Sequence, residues 1–146
     1  MCCQVVPLLA EDGHELLLLG RSEIEVARSF PQFAVGDYTS LSNLADDFDL
    51  MVHLAVLNNN AQNSLDEFRR VNVSFFSSIL EAAKLAGIKR VVNVSSFHAL
   101  NENDQTPYAI SKREALDVVR CIEGVEVINL FLPAVHGSSF AKNWPS

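Results

Sequence analysis

Short apolar runs alternate with stretches of helical periodicity along the whole chain. No other feature constrains the fold as much. Strands separated by helices are joined by crossovers, and such strands lie parallel in a sheet with helices packed on its faces. Leu50 to Leu54 is a continuous apolar run, the pattern of a strand buried on both faces. His14 to Leu19, Phe33 to Val35, Arg90 to Val94 and Val125 to Leu130 read as further strands. The expected class is α/β: a doubly wound parallel sheet with helices on both faces.

Helices are expected between these strands. Residues 2–12 read as helical with Gly13 as the stop, and Pro7 is a kink point within them. Residues 41–48 read as a short helix. A long helix starts at Ser64, which forms a capping box with Glu67. Phe68, Val71, Phe75, Ile79 and Ala82 then recur at helical spacing, and Gly87 ends the segment. Another helix begins at Pro107, a residue suited to a first turn, and runs to about Glu123. Asn58 to Asn60, residues 97–107 and the tail after Pro133, with Gly137, Trp144 and Pro145, read as loop.

A length of 146 residues implies one domain, 1–146, able to bury a core. The net charge of −7 argues against a general nucleic-acid or anionic-membrane binder, since both need a basic surface. No apolar run is long enough to span a bilayer. The N-terminal Met-Cys-Cys-Gln carries no positive charge ahead of an apolar run, so it does not read as a signal peptide. Cys2, Cys3 and Cys121 form no disulfide framework and no zinc spacing. Reduced thiols in a cytoplasmic protein are the expectation.

The chemistry is concentrated at Tyr108 and Lys112, which follow the strand ending in Ser95-Ser96. Four residues apart on a helix, they sit one turn apart on the same face. A free tyrosine has a pKa near 10, too high for a general base at neutral pH. A fixed ammonium beside the phenol brings proton exchange closer to that range. An exposed Tyr with a solvated Lys remains the plain structural reading of the pair.

Taken in order, several segments resemble one family. They are Leu9 to Leu16, Gly36-Asp37, Asp49 to Ala55, Asn72, Leu80 to Val92, Val94 to Ser96, Tyr108-x-x-x-Lys112 and Pro133 to Gly137. The chain resembles an extended short-chain dehydrogenase/reductase of the NAD-dependent epimerase/dehydratase kind. The resemblance implies a Rossmann-like domain that passes hydride between a nicotinamide and a substrate carbon. Tyr108 would move the proton, Ser96 would hydrogen-bond the same oxygen, and Lys112 would stabilise the phenolate and hold a cofactor ribose. Asp37 would approach the adenine with Tyr38 beside it. Leu54 and Ala55 would line the cofactor, and Pro133 to Val135 would pass the nicotinamide. Arg21 sits where the family chooses its dinucleotide; an Arg there pairs a 2′-phosphate and favours NADP over NAD. The substrate would be a small molecule, a nucleotide sugar or another hydroxyl or carbonyl metabolite. A homodimer through helices 64–86 and 107–123 is a further implication.

The chain departs from the family pattern in two main ways and in two details. The six glycines are 13, 20, 36, 87, 124 and 137, and no set of them makes the family's glycine-rich phosphate loop. The first strand with that loop, and the C-terminal substrate region, are expected to be absent, leaving a truncated fold. In sheets of this order the first strand is central, so its loss leaves two inner edges unpaired. Direct pairing of 14–19 with 50–54, a borrowed strand, or marginal stability would follow. Leu100-Asn101 replaces the usual aromatic-Gly pair, and the loop from Ser96 to Tyr108 is short; both bear on the substrate class. The rival readings are a non-catalytic module and a gene fragment without intact cofactor binding. His53 is expected to be a satisfied core residue, while His98 lies in a loop within reach of substrate.

Overall fold

The computed structural model describes residues 2–44, 48–58 and 63–133. In chain order the elements are α1 (Cys2–Glu11), β1 (Leu17–Gly20), α2 (Glu23–Ser29), β2 (Ala34–Asp37) and β3 (Leu50–His53). They continue with α3 (Leu65–Arg69), a π turn (Arg70–Phe75), α4 (Phe76–Leu85), β4 (Arg90–Ser96), α5 (Pro107–Cys121) and β5 (Glu126–Leu132). Every strand pair is parallel. The α/β class expected from the alternation is the one observed.

The sheet is split. β1 pairs with β2, and β3, β4 and β5 form a separate sheet in that order. The direct pairing of residues 14–19 with 50–54 is therefore not formed among the described residues. Instead β1 and β3 flank a cavity of about 320 Å³ that Leu17 to Leu19 and Leu50 to Leu54 both line.

Local chemistry explains most element ends. Gly13 and Gly87 close α1 and α4 in the left-handed region, at φ +86° and +76°, where a side chain would be strained. The Ser64–Glu67 capping box forms as expected: Ser64 N donates to Glu67 Oε2 at 2.8 Å and Glu67 N to Ser64 Oγ at 3.3 Å. α5 starts with Pro107 in its first turn, behind Thr106, whose hydroxyl accepts from Ala109 N at 3.3 Å.

Two expectations need correcting. Residues 23–29 form a helix that the periodicity did not reveal. Ser22 caps it, and Glu23 and Glu25 in the first turn complement its dipole. Where a helix was expected over 41–48, the described residues form a 3-10 turn over Tyr38–Asn43, and residues 45–47 lie outside them. Asp37 starts that turn early by accepting from Thr39 N and Ser40 N at 2.8 and 3.1 Å.

The core gathers Phe76, Ile79, Leu80 and Ala83 of α4, Val91 of β4, Ala115 of α5, and Leu41, Ala86, Ile88 and Val125. A polar row crosses the sheet beside it. His53, Asn93 and Asn129 are register partners on β3, β4 and β5. Asn93 Nδ2 donates to Asn129 Oδ1 at 2.8 Å, and His53 Nδ1 lies 3.1 Å from Asn93 Oδ1. His53 is buried, as expected, but only half satisfied: among the described residues its Nε2 has no partner.

Candidate active site

Three elements converge on Tyr108. β4 ends at Ser96, the loop after it carries His98, and α5 presents Tyr108 and, one turn on, Lys112. Tyr108 is 8% exposed and Lys112 6%, so neither is the solvated surface residue of the plain reading. The Lys112 Nζ lies 5.9 Å from the Tyr108 ring centroid.

Burial governs both groups. It pushes the Tyr108 phenol up from its ordinary value, while the Ser96 side chain, in hydrogen-bonding reach of the phenol, pulls it partly back. It drives Lys112 down to about 8. At pH 7 the resting pair is thus a neutral phenol and an amine still mostly protonated. Tyr108 therefore rests as a neutral phenol able to donate its proton.

The surroundings hold this geometry. Phe68 and His98 meet the Tyr108 ring edge-on at centroid distances of 5.8 and 5.6 Å. His98 Nδ1 lies 2.8 Å from Asp104 Oδ2. Hydrogen bonds from His98, then from Thr106, hold the Asp104 carboxyl down to about 2. Arg113 ties the same loop down through the carbonyls of Asn101 and Asp104, at 2.7 and 2.8 Å.

Asn72, noted in the sequence only as part of the resemblance and given no role, and Ser111, not singled out there, brace the site. Asn72, in the π turn, donates to the Leu57 carbonyl at 3.2 Å and accepts from Leu57 N at 2.9 Å. Ser111 Oγ donates to the Tyr108 carbonyl at 2.8 Å. Asn72 falls four residues after Phe68 and four before Phe76. A polar residue on that apolar stripe was the available signal.

The expected cofactor residues lie at strand ends. Arg21 follows β1, is exposed, and acts electrostatically on Tyr38. Asp37 ends β2 and spends one carboxyl oxygen on Thr39 and Ser40. Leu54 and Ala55 follow β3 and line the cavity. Pro133 follows β5 and is exposed, and Val135 lies outside the described residues. Ser96, Tyr108 and Lys112 are brought together; Arg21 and Asp37 belong to the separate β1–β2 sheet.

A dinucleotide also needs a cradle for its pyrophosphate, and the described glycines do not offer one. At Gly20 an added Cβ would meet Val26, and at Gly36 it would meet Leu19 and Ser40. The room left by those missing side chains is taken up by the protein's own packing. Gly13, Gly87 and Gly124 hold positive φ in turns after α1, α4 and α5.

Residues 3–143 match the family model described as NAD dependent epimerase/dehydratase family. No curated protein matches the chain. Among solved structures, a short-chain dehydrogenase/reductase superfamily protein from Agrobacterium tumefaciens with bound NAD is 22% identical, with a TM-score of 0.69 over 87% of this chain and 44% of its own. The UDP-N-acetylglucosamine 4-epimerase from Bacillus cereus is 21% identical, with a TM-score of 0.69 over 87% and 49%. A dTDP-glucose 4,6-dehydratase double mutant from Streptomyces venezuelae, with NAD bound, is 24% identical, with a TM-score of 0.65 over 86% and 49%. The chain thus spans about half the length of each of these structures.

Proposed function

Because this chain belongs to the NAD dependent epimerase/dehydratase family, we propose that it carries the proton-transfer residues of a nicotinamide-dependent epimerase, dehydratase or oxidoreductase. Its target would be a hydroxyl or carbonyl carbon of a small molecule. The observation that carries this reading is the buried Tyr108, with Ser96 at its phenol and Lys112 one turn behind. Ser96 would hold the substrate oxygen, and Tyr108 would give it a proton or take one. Lys112 would stabilise the phenolate left behind and hydrogen-bond the cofactor ribose.

A bound nicotinamide would supply the hydride chemistry. The described residues fit its ribose end through Lys112, but not its pyrophosphate. Arg21 supports a preference for NADP, whereas two of the compared structures hold NAD. Asp37 and Tyr38 would stand at the adenine, Leu54 and Ala55 along the ribose, and Pro133 to Val135 at the nicotinamide. The compared epimerase and dehydratase support a nucleotide sugar as the substrate class. The homodimer through helices 64–86 and 107–123 and the cytoplasmic location belong to the same proposal. Among the described residues, no helix is long and apolar enough to cross a membrane.

The occupied space at Gly20 and Gly36 favours one rival reading, a Rossmann-like module that does not hold a dinucleotide. Fluorescence titration with NADPH and NADH separates the two. Saturable binding, tighter for NADPH, followed by loss of turnover but not of binding in Tyr108→Phe, is the expected result. No saturable binding of either cofactor at millimolar concentration would refute the enzyme reading for this chain.

A further inference from the structure

We propose that Lys112 is a covalent capture site for short, uncharged aldehydes: its amine, buried beside the Tyr108 phenol with no carboxylate partner, forms a reversible imine with them. The step uses residues of the proposed site but no dinucleotide, so it stands or falls apart from the hydride chemistry.

The amine provides the first argument. Lys112 is 6% exposed, and among the described residues no carboxylate forms an ion pair with it. A buried lysine without a counter-charge gives up its proton readily, and the free amine is the nucleophile. Burial takes Lys112 from 10.5 down to about 8. Lys84 and Lys89 are exposed and lack this activation.

The neighbours provide the second. Imine formation expels an oxygen as water, and that departure needs a proton. Tyr108 is a neutral phenol with the Ser96 side chain in hydrogen-bonding reach. It sits one turn before Lys112, whose Nζ is 5.9 Å from its ring centroid. Nucleophile and acid thus share one face of α5.

The atoms and electrons balance without a further reagent. The Nζ lone pair attacks the carbonyl carbon and forms the C–N bond, and the nitrogen passes a proton to the carbonyl oxygen. The C–O bond then breaks. The hydroxyl leaves as water with the Tyr108 proton, and the nitrogen lone pair closes the C=N bond. The iminium N–H proton returns to the phenolate, which restores Tyr108 and leaves a neutral imine. Hydrolysis reverses the sequence, and nothing is oxidised or reduced.

The surroundings set the class of aldehyde. A nearly buried amine admits only a short chain, and a charged one would be desolvated at a cost. Ser96 offers its hydroxyl to an oxygen on the neighbouring carbon, which favours an α-hydroxy aldehyde.

The test uses the whole 146-residue chain. Millimolar glycolaldehyde is the probe, and cyanoborohydride fixes the imine as a secondary amine. Peptide mass spectrometry reads the hydroxyethyl group on each lysine. At neutral pH Lys112 should be labelled at least about tenfold faster than Lys84 and Lys89. Lys112→Met should lose that label and keep the other two. Tyr108→Phe, with its fold checked by circular dichroism, should slow labelling of Lys112 about tenfold and leave Lys84 and Lys89 unchanged. In urea the preference for Lys112 should vanish. Equal labelling of the three lysines, or a Lys112 preference that survives unfolding, would overturn the proposal. An unchanged rate in Tyr108→Phe would overturn the part given to the phenol. Glyoxylate, the charged counterpart, should show no preference for Lys112; a preference equal to that of glycolaldehyde would overturn the uncharged class.

Discussion

Asn72 Nδ2 donates to Ser111 Oγ at 3.1 Å, joining the π turn to the helix that carries Tyr108. Both side chains are buried, Asn72 at 4% exposure and Ser111 at 0%. The extra residue of a π turn re-aims a side chain without ending the helix, and such turns cluster at functional sites. Asn72 serves two neighbours at once, the backbone of Leu57 and the hydroxyl of Ser111. Asn72→Ala would leave the half-buried Leu57 backbone and the buried Ser111 hydroxyl without it. The expected loss is about 3 kcal/mol of stability, read as a lower urea midpoint. A change under about 0.5 kcal/mol would show that water replaces the amide.

Lys112 makes stability depend on pH in an unusual direction. Its pKa in the folded chain, about 8, lies below its ordinary value of 10.5. Between those values the unfolded chain holds the proton and the folded chain does not. Stability therefore rises with pH across that window, by about 3 kcal/mol at most if only Lys112 titrates. Below about pH 8 both states are protonated and the burial cost is fully present. Tyr108, raised by burial, works the other way above its ordinary value of 10.0, so the clean interval is pH 8 to 10. Urea melts at pH 7.0 and 9.5 check this. Lys112→Met should flatten the difference and raise stability at pH 7, while removing the ammonium proposed to stabilise the Tyr108 phenolate.

How much of this was legible follows from the range of each interaction. Capping chemistry is local, so Ser64 with Glu67 and Pro107 at the start of α5 could be read directly. Gly13 and Gly87 were legible for the same reason, since a positive φ after a helix selects glycine. The helix over 23–29 was not, because Glu23-Ile24-Glu25-Val26 offers no clean apolar stripe and Ser22 alone signalled it. The π turn at 70–75 left no mark in the periodicity, since Phe68, Val71 and Phe75 fit an ordinary helix equally well. Tyr108 and Lys112 could be paired by spacing. Their burial could not be foreseen, because it depends on Phe68 and His98 arriving from other elements. The open edges of β1 and β3 were foreseen; of the three consequences expected from them, direct pairing is not formed among the described residues, where the two strands flank a cavity.

His98 and Asp104 form a pair whose tautomer can be read out. Asp104 accepts from His98 and from Thr106, which keeps it ionised down to about pH 2. Its folded value lies below the ordinary 3.8, so its contribution to stability is present above about pH 4 and is lost as pH falls towards 2. With the carboxylate in place, neutral His98 carries its proton on Nδ1 and leaves Nε2 bare. Asp104→Asn removes that preference. Long-range proton–nitrogen spectra should show one tautomer in the wild type and a mixture in the variant. A mixture in both would mean that the 2.8 Å contact does not fix the ring.

Gly20 ends β1 where α2 crosses over it. A Cβ built there collides with Val26 Cγ2 and comes within 3.9 Å of the Ser22 carbonyl. Valine is branched at Cβ and has few alternative rotamers, so it yields poorly. Gly20→Ala should therefore cost about 1–3 kcal/mol through displaced packing rather than through backbone conformation, since Gly20 is not among the glycines with positive φ. Val26→Ala alone removes packing and also destabilises. In the double variant the collision is gone, so the two losses should fall short of additivity by about 1 kcal/mol or more. Urea melts of the four proteins measure the coupling. Strict additivity would show that the Val26 side chain is not what requires a glycine at the end of β1.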